Sequence, residues 1–306
     1  MWVETRCHLC GSDLYDVVHD NLKKPVDTGE KLLYKITDHS LASSVRVVCC
    51  RQCGFTYLNP RSDQNLYVDS YVSMIDDKYL EEEEGRRASA RRILKYLNKS
   101  KGTLLDIGCA AGFFLDEARK AGWDVYGVDL SEWAVKHARE KLGLKNVHQE
   151  LLRQVKFPAS FFDVVVMTDV IEHLIDPKST LEEIRPLLKP NGIICCTTPD
   201  IDSLMSRLQG SRWWYIKPSH LYYFNKLTLS ELFNSAGFTV VKTRSHARTF
   251  SLGYWTANMV VYKPAFKFID IFLKKHPKLA ALSITFDLGD QIEIFVRKRT
   301  ADQIAL

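Results

Sequence analysis

The chain has 306 residues, 46% of them hydrophobic and 26% charged. That balance belongs to a globular protein and excludes a disordered or fibrous one; at roughly 150 residues per domain it suggests about two domains. Lys and Arg number 42 against 37 Asp and Glu, and the net charge of +5 is too mild to argue for nucleic acid. Eight cysteines are too sparse for a secreted disulfide scaffold, and the vicinal pairs Cys49-Cys50 and Cys195-Cys196 suit a reducing compartment. The start, Met1 to Cys7, has no signal-like apolar run, and nowhere do about 18 uncharged apolar residues follow one another. The expectation is a cytoplasmic protein with no membrane span.

Residues 1–60 are read as a zinc-ribbon domain. Cys7-His8-Leu9-Cys10-Gly11 and Cys50-Arg51-Gln52-Cys53-Gly54 are two CxxC-Gly knuckles. Each can place two thiolates on one ion, and together Cys7, Cys10, Cys50 and Cys53 make the closed four-thiolate site of structural zinc. Only Cys50, not Cys49, has the right spacing to Cys53. A redox pair is the weaker alternative, because such a pair sits once, on a strand-to-helix turn. A closed site has no open coordination position, so it is assigned no catalysis; zinc here replaces a core too small to fold alone. Ser44-Val45-Arg46-Val47-Val48 reads as a strand. In residues 1–60, Lys and Arg at 6, 23, 24, 31, 35, 46 and 51 are matched by acids at 4, 13, 16, 20, 27, 30 and 38, so this is no basic patch.

Residues 61–100 read as a helical, charged linker. Glu82 and Glu83 stand four before Arg86 and Arg87, the spacing of ion pairs on a solvated connecting helix.

From residue 101 onward strands and helices alternate. Strands are expected at Thr103–Ile107, Val125–Val128, Phe162–Met167, Ile193–Thr197, Phe238–Val241 and Gln291–Val296. The helices between them start near Gly112, at Ser131 as N-cap, and at Asp176-Pro177; Pro190-Asn191-Gly192 is a turn. Single helices between strands mean a parallel sheet with right-handed crossovers. Leu105-Asp106-Ile107-Gly108-Cys109-Ala110-Ala111-Gly112 is a strand, a small-residue turn and a helix start, and Asp129 ends the second strand. An acid there can accept hydrogen bonds from both ribose hydroxyls of a nucleoside cofactor. The loop is Gly-x-x-x-Gly, not the Gly-x-Gly-x-x-Gly of a dinucleotide site.

These residues resemble the class I S-adenosylmethionine-dependent methyltransferases. So do Gly127-Val128-Asp129-Leu130-Ser131, Phe162 through Leu174, and Leu187-Leu188-Lys189-Pro190-Asn191-Gly192. The likeness spans about residues 80–299. It implies an α/β, Rossmann-like seven-stranded sheet with the last strand antiparallel, preceded by the small zinc ribbon, and S-adenosyl-L-methionine as cofactor. Position by position it implies that Asp106, Gly108, Cys109 and Gly112 line the methionine part. Asp129 would hold the ribose with Leu130 against the adenine, and Glu150, Leu151 and Leu152 would approach the adenine's other face and edge. Asp169 and Val170 would sit near the sulfonium. The remaining cysteines, Cys109, Cys195 and Cys196, read as small apolar packing.

Methyl transfer needs alignment, and a base only when the nucleophile holds its proton tightly. Two histidines compete for that role: His173 in Ile171-Glu172-His173-Leu174, and His220 in the aromatic segment Trp213–Asn225. His220 is preferred; the bland readings are a helix-start residue and a buried aromatic plug. A ribbon, then Asn59-Pro60-Arg61, then the methyltransferase, then His220-Leu221-Tyr222-Tyr223-Phe224, resembles methyltransferases of glycan and small-molecule biosynthesis. It also resembles the front two thirds of deoxysugar C-methyltransferases. Their Tyr-x-Glu-His becomes Lys217-Pro218-Ser219-His220 here, with only the His retained, so O-methylation of a sugar stands beside C-methylation.

Residues 249–289 form an insert rich in Lys and aromatics, with Asp270 and Asp287 its only acids. It reads as an ordinary helix hairpin, as a lid or interfacial helix making peripheral membrane contact toward a lipid-linked glycan, or as a homodimer contact. The leading function is methylation of a small-molecule or glycan acceptor. An RNA or protein methyltransferase gripping its target with the ribbon is the alternative, weakened by the balanced ribbon charge. A non-enzymatic cofactor-binding partner module is the third.

Overall fold

The structure, a computed structural model, describes residues 2–22, 45–97, 101–262 and 266–299. Ser44 of the expected strand, Lys263 of the insert and most charges weighed between residues 20 and 40 lie outside the described residues. The chain opens with β1 (Trp2–Val3), β2 (Tyr15–Asp20), β3 (Arg46–Cys50), β4 (Thr56–Leu58) and β5 (Arg61–Ser62). Three helices follow: α1 (Gln64–Val72), α2 (Asp77–Glu81) and α3 (Glu83–Tyr96).

Strands and helices then alternate: β6 (Thr103–Ile107), α4 (Phe113–Lys120), β7 (Asp124–Val128), α5 (Glu132–Glu140), β8 (Val147–His148), β9 (Phe162–Thr168), α6 (Pro177–Leu187) and β10 (Leu188–Pro199). Next come α7 (Leu204–Gln209), β11 (Tyr222–Tyr223), α8 (Lys226–Ser235), β12 (Phe238–Ser245), β13 (Arg248–Ser251), α9 (Leu252–Tyr262), α10 (Phe266–Lys275), α11 (Pro277–Ala280), β14 (Ser283–Phe286) and β15 (Gln291–Lys298). Local chemistry sets the starts. The Ser131 hydroxyl accepts the Ala134 N–H, the Asp176 carboxylate accepts that of Ser179 with Pro177 in the first turn, and Asn225 and Thr228 form a reciprocal cap.

The main sheet has the order β12-β15-β10-β9-β6-β7-β8. β15 is antiparallel to both β10 and β12, while the pairs from β10 through β9, β6 and β7 to β8 are parallel. This is the expected seven-stranded α/β sheet with the last strand antiparallel. Its central strands are apolar on both faces because helices cover both. The expected turn at Pro190-Asn191-Gly192 is instead an irregularity within β10, where the register shifts between Leu188 and Ile193.

A second sheet, β11-β4-β3-β2, carries the cysteines. Its edge strand is supplied from far down the chain: Tyr222 pairs with Tyr57 and Tyr223 with Thr56. The ribbon's Cys7, Cys50, Phe55 and Tyr57 share one apolar cluster with Leu105, Met167 and Ile194 of the main sheet. These ribbon side chains therefore pack into one flank of the main-sheet core rather than into a core of their own. Phe55 stacks on Tyr222 at 5.5 Å and meets Phe224 at 5.2 Å, and burying a side chain of that size is worth about 1.5–3 kcal/mol.

The charged helix α3 is no solvated connector. Its Glu83 and Arg87 do pair at 2.7 Å, but Arg87 is buried and also binds Asp116 at 2.6 Å and Glu117 at 2.8 Å on α4. Ala90, Ile93 and Leu94 are buried with it. Among the described residues no helix is long and apolar enough to cross a membrane.

Candidate functional site

A cavity of about 1140 Å³ opens where β6, β7, β9 and β10 end, lined by Asp106, Val128, Thr168 and Thr197. Sites for single small ligands run to about 1,000 Å³, so there is room for a cofactor and an acceptor together. Of the sequence-derived cofactor residues, Asp106, Gly108, Cys109, Asp129, Leu130, Glu150, Leu151, Leu152, Asp169 and Val170 line it. Gly112 does not. A Cβ there would stand 2.9 Å from Ala138 Cβ and 2.7 Å from Leu144 Cδ1, so this glycine, at φ 85°, lets α4 start against α5. Gly108, at φ 69°, does face the cavity: a Cβ would lie 2.5 Å from Val170 Cγ2.

Backbone strain gathers at these strand ends. Ala110 and Asp169 hold φ 45° and 55°, a region L side chains enter at a cost and which functional sites collect. Asp129 explains how the loop is held: one carboxylate oxygen accepts the Ala110 N–H and the other the Ser131 N–H, each at 2.8 Å. Burial raises its pKa and raises that of Asp106 further, with Asp129 adding to the latter. Asp106 Oδ1 is buried without a hydrogen-bond partner among the described residues, an acceptor lacking a donor.

The other half of the cavity gathers both candidate bases. His173 Nδ1 lies 2.6 Å from the Ser219 carbonyl, which can only accept. Nδ1 therefore carries the proton and Nε2 is the basic nitrogen. Tyr67 and Tyr71 of α1 complete the mount: the Tyr67 hydroxyl donates to the carbonyls of His173 and Ser219 at 2.9 and 2.7 Å, and Tyr71 Oη is 2.7 Å from His173 Nδ1. Burial, then the charge of Lys217, lowers the His173 pKa to about 3, so this ring stays neutral. His220 is buried, edge-on to His173 at 4.6 Å between ring centres and parallel to Tyr215 at 5.9 Å.

Sequence reasoning missed the groups around them. Glu172 is buried, accepts the Thr198 hydroxyl at 3.0 Å through Oε2, and leaves Oε1 without a hydrogen-bond partner among the described residues. Burial, then Asp169, pushes its pKa up; burial lowers that of Lys217. Donor atoms of Glu172, His173 and His220 lie within 4.8 Å of one another, close enough to share a proton or an ion. His246 lines the wall with Nδ1 2.7 Å from Glu293, which also binds Arg244. Arg248, bonded to the Tyr215 hydroxyl, and Asp290 complete the polar lining; Phe250, Trp255 and Phe286 supply apolar wall. Glu172 and Lys217 stood inside motifs the sequence marked. For His246, Arg248 and Asp290 the sequence held no signal.

The four knuckle sulfurs converge. Cys7–Cys53 and Cys10–Cys50 are each 3.5 Å apart, and all four lie within 4.8 Å of one another. A tetrahedron with Zn–S near 2.3 Å has sulfurs about 3.8 Å apart, so the donor set fits. Gly11 and Gly54, at φ 78° and 72°, close the knuckles by donating to the Cys7 and Cys50 carbonyls. Cys49 stands outside, its thiol 3.5 Å from the Gly54 carbonyl.

Comparison with known proteins agrees with this geometry. Residues 80–243 match a family described as a methyltransferase domain. The chain belongs to that family. A ubiquinone biosynthesis O-methyltransferase of Cereibacter sphaeroides is 32% identical over 126 residues, 38% of this chain and 51% of that protein. A protein of the same name from Dinoroseobacter shibae is 37% identical over 112 residues, 35% and 45% of the two chains. The chain spans about half the length of these curated relatives. Among solved structures, an S-adenosylmethionine-dependent methyltransferase from Archaeoglobus fulgidus superposes with a TM-score of 0.50 at 24% identity, covering 73% of this chain and all (100%) of that one, a likeness of fold.

Proposed function

We propose that the protein O-methylates a hydroxyl on a polyhydroxylated ring, a sugar or glycan, from S-adenosylmethionine. The observation that carries this is one continuous cavity whose cofactor half is a glycine loop with Asp129 and whose acceptor half combines aromatic walls with buried polar groups. S-adenosylmethionine supplies an electrophilic methyl on a sulfonium. Asp106 Oδ1 accepts from its ammonium, the donor that oxygen lacks. Asp129 takes the ribose hydroxyls on its remaining lone pairs, and Leu130, Glu150 and Leu151 flank the adenine. Gly108, Cys109, Asp169 and Val170 border the reacting centre.

Lys217, His220, His246 and Asp290 give the acceptor half a buried polar lining. A ring with several hydroxyls matches such a lining better than an apolar ring does, and Tyr215 and Trp255 can cover its apolar face. His220 takes the hydroxyl proton, and the neutral His173 holds the segment that presents it. Oxygen is favoured over carbon because the Tyr-x-Glu-His residues tied to carbon methylation are replaced, and because two relatives are named for O-methylation. We further propose that Cys7, Cys10, Cys50 and Cys53 hold one structural zinc ion.

The test is to incubate the protein with methyl-labelled S-adenosylmethionine and two acceptor series, nucleotide sugars and catechols. Labelled methyl ethers on sugar hydroxyls are expected, read by NMR. Label found only on catechols, or only on carbon, would overturn the acceptor assignment. NAD should fail to bind.

A further inference from the structure

Helix α10 is built inside out. Its inner face is Asp270 and Leu273, both buried. Its outward face is apolar: Phe268 is 81% exposed, Phe272 52%, Ile269 46% and Ile271 44%. At 3.6 residues per turn Phe268, Ile271 and Phe272 occupy the arc opposite Asp270 and Leu273, with Lys275 at the C-terminal end of the same arc. Ile269 flanks Leu273 at the edge of the buried face. A helix on a water-soluble protein carries mostly polar residues on such an arc. Leu279 and Leu282, just beyond, are also exposed. Single exposed apolar residues are ordinary, but a contiguous set on one short segment marks an interaction surface.

The charges around it select the occupant. Lys267, Lys274, Lys275 and Lys278 are exposed, and the only acid in 266–282 is the buried Asp270, 2.7 Å from Lys274. A second copy of this chain would bring a lysine-rich border against an identical one with no carboxylate to meet it. An anionic bilayer meets both features, taking the apolar side chains among its acyl groups and the ammonium groups against its headgroups. The helix also adjoins the cavity. Trp255 of α9 lines it and meets Phe266 of α10 edge-on at 5.5 Å, while Gly253 of α9 packs close to Ala280 at the end of α11.

We propose that α10 and the turn after it seat the protein on an anionic lipid surface, with Phe268, Ile269, Ile271 and Phe272 inserted and the four lysines on the headgroups. This holds whatever the acceptor is, and it sets the helix behind the cavity wall at Trp255 against the membrane.

The experiment is flotation of the purified full chain with vesicles of phosphatidylcholine alone or mixed with phosphatidylglycerol, at low and high salt. At least about tenfold stronger partitioning onto the anionic vesicles at low salt is expected, weakened by salt. Phe268→Ser with Phe272→Ser should reduce it by at least about tenfold. Lys275→Glu with Lys278→Glu should reduce it on anionic vesicles only. Unchanged binding of cofactor product by each variant reports an intact fold; if the serine pair loses that, the glutamate pair decides alone. No partitioning of the wild type, or none lost in the variants, would overturn the proposal. So would a wild-type dimer in sedimentation that stays off vesicles and becomes monomeric with the serine pair.

Discussion

The two halves of the cavity are built in opposite ways. The cofactor half comes from one run of chain, Asp106 to Val170, and is made of turns: a glycine at φ 69°, two strained residues, and an aspartate whose carboxylate ties Ala110 to Ser131. The acceptor half is assembled across long separations. Tyr67 reaches Ser219, Tyr215 reaches Arg248 and Gln291, and His246 reaches Glu293. A half made of local turns tolerates distant damage; a half made of distant contacts depends on whatever holds its pieces in place. The ribbon is one of these holds, since Leu58 donates its N–H to the Leu221 carbonyl and Leu221 donates to that of Glu172.

The largest effect should separate the halves. Cys10→Ser should abolish the one zinc per chain that metal analysis is expected to find in the wild type. Because β4 pairs with Tyr222 and Tyr223, loss of the ribbon should spread to His220 and reduce turnover by more than about 10²-fold, while cofactor affinity stays within a few-fold. If cofactor binding and turnover fall together, the halves are not independent.

The second test stays inside the acceptor half. His220→Ala should lower turnover on the order of 10²–10⁴ with cofactor affinity spared. His173→Ala removes a ring already held neutral, so its effect should come through displacement of Ser219 and be smaller. A greater loss at His173 than at His220 would reverse their roles.

The third is the mirror image. Asp129→Ala should weaken cofactor binding by about 1.5–3 kcal/mol, tenfold or more by calorimetry, since it removes a charged acceptor. The structure adds a second cause, because Ala110 and Ser131 lose their partner. Asp129→Asn, which keeps one carbonyl oxygen, should recover part of the loss. Equal affinities in all three proteins would mean that the ribose sits elsewhere.

The same contrast explains what the sequence could disclose. The strands, the loop and Asp129 were legible because a buried strand, a small-residue turn and an acid at a strand end are local patterns. The pairing of Cys50 rather than Cys49 was legible because a knuckle is four residues long. Gly112 was misplaced because its neighbour is a helix 26 residues on, and spacing alone does not say which side of a turn faces a cavity. Arg87 looked solvated because its partners Asp116 and Glu117 lie on another helix. Arg248 and Asp290, on either side of the insert, reach the cavity only through tertiary structure.

The smallest predicted effect tests the polar floor between the halves. Burial beside Asp169 pushes the Glu172 pKa up to about 8, so the folded protein holds that proton more tightly than the unfolded chain does. The proton favours folding at low pH, and stability should fall as pH rises from the ordinary carboxylate range toward 8. Lys217, lowered to about 8 by burial, acts at higher pH in the opposite direction: its charge costs stability until pH rises through 8 toward the ordinary lysine range. Together they put a shallow minimum near pH 8. Glu172→Gln keeps the shape and removes the titrating group, so it should abolish the fall in Tm below pH 8. It should also deprive Lys217 of a counter-charge and move the rise to lower pH. Melting curves from about pH 5 to about pH 10.5 read both arms. Superimposable curves for the two proteins would show that Glu172 is ionised and solvated in the fold.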